Sequence, residues 1–284
     1  MKIQTSFSKS HETGTLYLVP TPIGNLSDMS QRAIETLKKV DLIASEDTRN
    51  TGILLKHYAI STRQVSFHEH NATKKIPEFV HRLEQGDTIA QVSDAGMPSI
   101  SDPGHDLVVA CIEKEIPVIS LPGPSAGITA VIASGLVPQP HIFYGFLPRK
   151  TKAKETFLES KKAYSETQIF YESPYRLTET LASMLRIYGD RQVVLVRELT
   201  KIHEEYQRGT ISELLAHLHQ IPAKGECLLI VSGAKQVADI PQDDPLEMVE
   251  NLIAGGKKPS QAIKEVANIY GLVKQELYQI YHKK

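Results

Sequence analysis

Residues 88–104 read TIAQVSDAGMPSISDPG, an apolar run followed by a tight loop holding two prolines, two glycines and two aspartates. A loop of that composition is costly to keep without a task. The carboxylates of Asp94 and Asp102 can accept hydrogen bonds from hydroxyl or ammonium groups, while Gly96 and Gly104 let a ligand approach the backbone. A compact surface Ω-loop is the bland alternative. Two further loops of the same kind stand on either side, VPTPIGNLSD at 19–28 and LPGPSAG at 121–127, each between an apolar run and an amphipathic one. Ser125 and its neighbours fall at the start of the stretch that follows, where helix amides are free.

Working outward, short apolar runs at 15–19, 41–45, 64–67, 88–93 and 117–121 alternate with amphipathic stretches at 32–40, 76–85, 106–115 and 126–133. This is the signature of βα units around a mostly parallel sheet, where ligands collect at the carboxyl ends of strands. From residue 142 the pattern changes. Strand-like runs at 142–146, 168–171, 192–198, 204–208 and 226–231 predict a mixed or antiparallel second sheet, with two runs close enough to pair as a hairpin. The expected organisation is a flexible tail at 1–14, an N-terminal α/β domain at 15–137 carrying the cofactor loops, and a second α/β domain at 138–233. A polar, proline-containing linker at 234–245 leads to a small helical region at 246–284, with helices at 246–253, 260–270 and 273–282. Ile263, Val266, Ala267 and Tyr270 recur at helical spacing, and Ser260 after Pro259 suits an N-cap.

Composition sets the outer bounds. Of 284 residues 41% are hydrophobic and 23% charged, enough to bury a core. Thirty-two Lys+Arg against thirty-three Asp+Glu give a net charge of −1, which argues against a chain-wide coat for nucleic acid but permits local basic patches. The longest nearly apolar stretch, 126–137, is too short to span a bilayer, and the first fourteen residues lack the apolar core of a signal peptide. Cys111 and Cys227 both sit in apolar runs, which suits a reducing cytoplasm and leaves no cysteine zinc site. G-x-G-x-x-G, the P-loop and H-E-x-x-H are all absent. His68 and His70 would share one face of a strand end, but no third metal ligand accompanies them. No metal is expected.

The ordered strings VPTPIGNLSD, SEDTRNT, VSDAGMPSISDPG, LPGPSAGITAVIASG, FYGFLPRK, FYESPYRL and RELTKIHEE resemble the tetrapyrrole-methylase superfamily. Within it the chain is similar to the bacterial ribosomal RNA small subunit methyltransferase I family, from about residue 14 to residue 231. The resemblance implies two α/β domains with S-adenosylmethionine (SAM) in the cleft between them, in a family usually found as homodimers. It implies 2′-O-methylation of a cytidine ribose in the decoding region of 16S rRNA, within the small ribosomal subunit. By the same resemblance, Asp94, Gly96, Met97 and Ile100 of the central loop stand where relatives grip the cofactor, and Ile23, Ser125, Ala126 and Tyr171 where they line the cleft. Two departures stand out: the glycine-rich first turn of the porphyrin enzymes is PTPIGN here, and Met97 replaces the threonine of many close relatives.

Methyl transfer from a sulfonium needs alignment of acceptor, methyl and sulfur, and help in losing the acceptor proton. Candidates lie in three polar clusters after strands. They are Glu46, Asp47 and Arg49 of EDTR, Glu172 and Arg176 of YESPYR, and Glu198 and Lys201 of RELTK. Glu172, Lys201, Arg49 and Asp47 are taken as the catalytic set, without deciding which takes the proton; surface ion pairs are the alternative. Residues 149–162 hold six Lys/Arg and two Glu, as 257–284 hold six Lys and two Glu, so each is net +4. Arg149, Lys150, Lys152 and Lys154 are the candidate RNA contacts. Two other readings stay open: a relative acting on a tetrapyrrole or other small molecule, and a non-catalytic RNA- or nucleotide-binding protein.

Overall fold

The computed structural model describes residues 1–5, 13–100, 102–234, 244–270 and 272–282. Strands β1 (Leu16–Leu18), β2 (Leu42–Ser45), β3 (Gln64–Ser66), β4 (Ile89–Val92) and β5 (Val118–Ser120) form a sheet in the order β3-β2-β4-β1-β5. Every pairing in it is parallel. Helices α1 (Gln31–Lys39), α2 (Thr48–His57), α3 (Ala72–Glu84), α4 (Gly104–Glu113) and α5 (Ala126–Ser134) connect and follow the strands. Side chains alternate across the pleat of β2, so Leu42 and Ala44 pack with Phe79, Leu83 and Leu107 while Ile43 packs with Leu37 and Leu54 on the other face. With both faces covered, β2 and β4 are buried throughout, as a parallel sheet requires.

The second sheet contains β6 (His141–Phe146), β7 (Thr167–Glu172), β8 (Gln192–Arg197), β9 (Glu205–Thr210) and β10 (Cys227–Val231), in the order β6-β7-β10-β8-β9. β6 runs parallel to β7, and the other pairs, including the β8–β9 hairpin, are antiparallel. Helices α6 (Thr151–Lys161), α7 (Leu177–Tyr188) and α8 (Ile211–Gln220) cover one face through Phe170, Leu181, Met184, Leu195 and Leu229. The opposite face, with Ile169, Val194, Val196 and Ile230, packs on Ala130 and Val131 of α5. α5 therefore joins the two sheets, and residues 1–233 make one compact unit. Burial pushes the Cys111 thiol up to about 12 and the Cys227 thiol up to about 11.

Residues 234–284 form a second unit, in which α9 (Pro245–Ala254), α10 (Pro259–Tyr270) and α11 (Lys274–His282) enclose Val249, Ile263, Val266, Ala267, Tyr270 and Leu277. Ser260 is not the cap of α10. The carbonyl of Lys258 already accepts from the amides of Gln261 and Ala262, so the helix begins at Pro259, where the missing N–H is harmless. Of the expected linker, 235–243 lie outside the described residues, as do 6–12 of the expected tail. The start of that tail is tied down: Lys2 Nζ donates to the carbonyls of Ile112 and Glu113, and the Gln4 amide exchanges two hydrogen bonds with the Val118 backbone. Among the described residues no helix is long and apolar enough to cross a membrane.

Candidate active site

The carboxyl ends of β1, β2, β4 and β5 deliver their loops to one cleft. The loops after β1 and β4 are locked together, because Thr21 and Gly96 exchange N–H···O=C bonds of 3.0 and 3.0 Å. Gly96 thus contributes closeness rather than free backbone groups. Its φ is +76°, and a Cβ there would lie 3.3 Å from Ile23 Cγ2 and 3.4 Å from the Pro124 carbonyl oxygen. Asp102 organises the loop from within, accepting from Gln91 Nε2 (2.7 Å), the Ser99 amide (2.8 Å) and the Gly104 amide (2.8 Å).

These loops wall a cavity of about 320 Å³ lined by Ile23, Gly96, Met97, Ile100, Ser125, Ala126 and Tyr171, seven of the eight residues expected at the cofactor. Glu46, Asp102, Phe143 and Ile169 are among the other residues of the wall, with Ile128 and His141. Phe143 and Ile169 carry no polar signal in the sequence, and only strand alternation could have found them. A bulge in β6 between Phe143 and Gly145 (φ +66°) alters the facing of the residues beyond it. Phe143 and Phe146 consequently both pack edgewise on Tyr171, at centroid distances of 4.9 and 5.5 Å. Burial raises the pKa of Tyr171, whose hydroxyl lies near the Gly127 amide in the first turn of α5. Ser125 occupies the N-cap position of α5 without a capping side-chain bond.

The cavity carries negative charge. Burial, together with the charges of Asp94, Asp102 and Asp47, raises the Glu46 pKa above its ordinary value, against a bond from the Asp94 amide that lowers it. An apolar slot bordered by the carboxylates of Glu46 and Asp102 suits a flat heteroaromatic ring joined to a cationic centre. The residues present therefore fit SAM, with Ile23, Phe143, Ile169 and Tyr171 available to its adenosine and Glu46 to its positive charge.

Two chambers open beside this cavity, sharing Ile23 and Ala95 with it. One, of about 440 Å³, is mostly apolar and includes Phe146, Glu172, Val196, Leu199 and Leu228. The other, of about 500 Å³, is polar and includes Gly24, Asn50, Thr51, Asp94, Lys201 and Glu226. Asp94 was expected at the cofactor but lines this second chamber instead. Its two oxygens are occupied by α2, accepting from the Asp47 amide and Asn50 Nδ2 at 3.1 Å each.

The catalytic candidates fall in unlike places. Lys201 reaches the polar chamber, its Nζ 3.0 Å from Glu198 Oε1 and 3.1 Å from Glu226 Oε2. Burial pulls its pKa down, but the two carboxylates outweigh that and hold it above the ordinary lysine value, so it is a fixed cation. The RELTK loop presenting it is strained, with φ of +50° at Glu198 and +67° at Thr200. Glu172 borders the apolar chamber, yet its carboxylate is buried and engaged by the Ser173 amide (2.9 Å), Thr180 Oγ1 (2.7 Å) and Arg176 Nε (3.4 Å). It holds the turn after β7 in shape. Asp47 caps α2 through the Arg49 amide (2.8 Å), and the Arg49 guanidinium at 2.6 Å helps hold its carboxyl at about 2. Arg49 itself is 88% exposed.

Arg149, Lys150 and Lys152 are exposed around the start of α6. Lys154 is not available to RNA. It is fully buried, with Nζ 3.0 Å from Glu179 Oε1 and 3.5 Å from Thr180 Oγ1, because the fourth residue of the basic run turns onto the core face of α6. His68 and His70 have ring centroids 5.9 Å apart, and no cluster of three metal-ligating side chains occurs among the described residues.

The family model for tetrapyrrole (corrin/porphyrin) methylases matches residues 15–215. The chain belongs to the tetrapyrrole methylase family. Among members of that family, it is 61% identical over 285 residues to ribosomal RNA small subunit methyltransferase I of Streptococcus pyogenes serotype M1, covering 99% of each chain. The protein of the same name from Bacillus subtilis (strain 168) is 46% identical, covering 100% of this chain and 99% of that one. Two solved structures share the tetrapyrrole methylase fold at low identity. Uroporphyrin-III-C-methyltransferase from Thermus thermophilus superposes with a TM-score of 0.53 at 17% identity, covering 78% of this chain and 95% of its own. A diphthine synthase gives 0.58 at 11%, covering 78% and 90%. The expected membership is thus borne out, and with it a methyltransferase architecture of one parallel and one mixed sheet.

Proposed function

We propose that this chain transfers the methyl group of SAM to the 2′-oxygen of a cytidine ribose in 16S rRNA, in the cytoplasm and within the small ribosomal subunit. The observation that carries the reading is that seven of the eight residues expected at the cofactor line one acidic, aromatic-walled cavity, in a chain matched end to end by relatives named for small-subunit rRNA methylation. SAM supplies an electrophilic methyl on a sulfonium. The ribose oxygen forms the new C–O bond with a lone pair as the C–S bond breaks toward sulfur, and the hydroxyl proton leaves to water. Glu46 favours the cationic donor over its neutral product, which helps release. Lys201, kept charged between Glu198 and Glu226, faces the acceptor side and steadies the oxygen as it gives up its proton. Arg149, Lys150 and Lys152 hold phosphates. The protein works as a homodimer, for which the exposed Ile132 (71%) on α5 offers an apolar contact.

The test is transfer of labelled methyl from SAM to small subunits lacking their native ribose methylations, followed by alkaline hydrolysis. A 2′-O-methyl product resists cleavage beside the modified nucleotide, because that cleavage requires a free 2′-hydroxyl. Label on a base, with cleavage intact, would overturn the reading.

A further inference from the structure

We infer that the polar chamber beside the cofactor cavity receives the acceptor nucleoside swung out of the RNA, and that its acceptor-rich wall selects cytosine over uracil. This rests on the function proposed above. The chamber, at about 500 Å³, has room for a nucleoside and shares Ile23, Ser93 and Ala95 with the cavity, so a ribose held in it meets the cofactor at their common wall. It also contains an unanswered group. Thr51 is 3% exposed, lines the chamber, and its Oγ1 has no hydrogen-bond partner among the described residues. A buried hydroxyl left unpaired is unfavourable unless something completes it.

The wall also has a chemical sense. Asn50 uses its amide nitrogen on Asp94, and no donor among the described residues reaches its Oδ1. Glu226 gives Oε2 to Lys201, while Oε1 is likewise unclaimed. Two open acceptors match the 4-amino group of cytosine, whereas the O4 of uracil would face them lone pair to lone pair. At the edge, Ile53 is 70% exposed and offers an apolar surface to a base that has left its stack.

The test uses methyl transfer to small subunits carrying either cytidine or uridine at the mapped target position, with SAM binding followed by calorimetry. Asn50→Ala and Thr51→Val should leave the SAM dissociation constant within about twofold of wild type while raising KM for the subunit by about tenfold each, the scale of one lost hydrogen bond. Glu226→Gln, whose amide can turn its N–H₂ toward O4, should reduce the cytidine-over-uridine preference by about tenfold or more. Unchanged SAM binding in all three reports an intact fold. Variants with wild-type KM and wild-type base preference would overturn the chamber while leaving the methyltransferase reading standing. Wild-type protein that binds SAM but methylates no ribose would overturn both.

Discussion

The stem of Lys201 lies across Gly24 so closely that a Cβ on the glycine would sit 2.7 Å from Lys201 Cγ and 3.0 Å from its Cε. Here the first loop of the parallel sheet touches the RELTK loop of the second sheet. Gly24 also has φ +145°, where a side chain is strained whatever the space. Gly24→Ala should displace the lysine from its place between Glu198 and Glu226. A misplacement of about 1 Å near the reacting atoms lowers turnover by up to about a hundredfold. Steady-state assay beside SAM calorimetry checks this: kcat should fall well beyond any loss of SAM affinity.

Glu46 supplies the second prediction. Its pKa is raised chiefly by burial, so the folded state holds the proton more tightly than the unfolded chain does. Stability from this group is present below its unfolded pKa and is lost as pH rises through the folded value. Ionised Glu46 is therefore a liability at neutral pH. Glu46→Gln should raise Tm at about pH 7, with the gain over wild type shrinking as the pH falls toward about 4. The same variant should bind SAM about tenfold more weakly, having lost its charge. Thermal unfolding across pH and calorimetry read the two effects separately.

The basic run at the start of α6 divides into two classes. Lys150→Ala and Lys152→Ala should each flatten the slope of log affinity against log salt by about one, with little change in Tm. Lys154→Ala should do the reverse. Removing a buried stem and its bond to Glu179 should cost about 2–3 kcal/mol of stability with an unchanged salt slope. Filter binding at several salt concentrations and denaturant unfolding distinguish them.

SAM should bind at one site per chain with chelator present. Gly96→Val should weaken it by about tenfold or more, since the residue holds φ +76° with Ile23 and Pro124 closing on it. A bulky residue at Ala126 should act alike. Calorimetry gives both stoichiometry and affinity.

Light scattering at micromolar concentration should report a dimer, and Ile132→Glu should shift it to monomer. An unpaired charge in an apolar contact costs about 2–5 kcal/mol of association free energy.

The alternation of apolar and amphipathic runs carried both sheets, because each strand is an apolar run wherever its faces are covered. α2 did not show. Its first turn is the polar TRNT, so the helix is marked by its Asp47 cap rather than by a periodic stripe. The loops that wall the cavity were legible as clusters of glycine and proline after strands. What each polar residue in them does was not. Asp94 and Asp102 look equivalent in sequence, yet one binds α2 and the other binds its own loop. Lys154 and Lys152 differ only in which way α6 turns them, and Glu172 reads as a free carboxylate until Thr180, eight residues on, is seen to meet it. Such distinctions depend on partners from distant parts of the chain.

Asp102 carries one more consequence. By receiving the Gln91 amide and the backbone of Ser99 and Gly104, it ties those three residues together before any ligand arrives. On the function proposed above, the ordering entropy of those contacts is met during folding rather than at binding, so the donor's affinity is not discounted by forming them. A preformed receptacle also releases its spent product without having to unfold, which suits an enzyme that must exchange its methyl donor after every turnover.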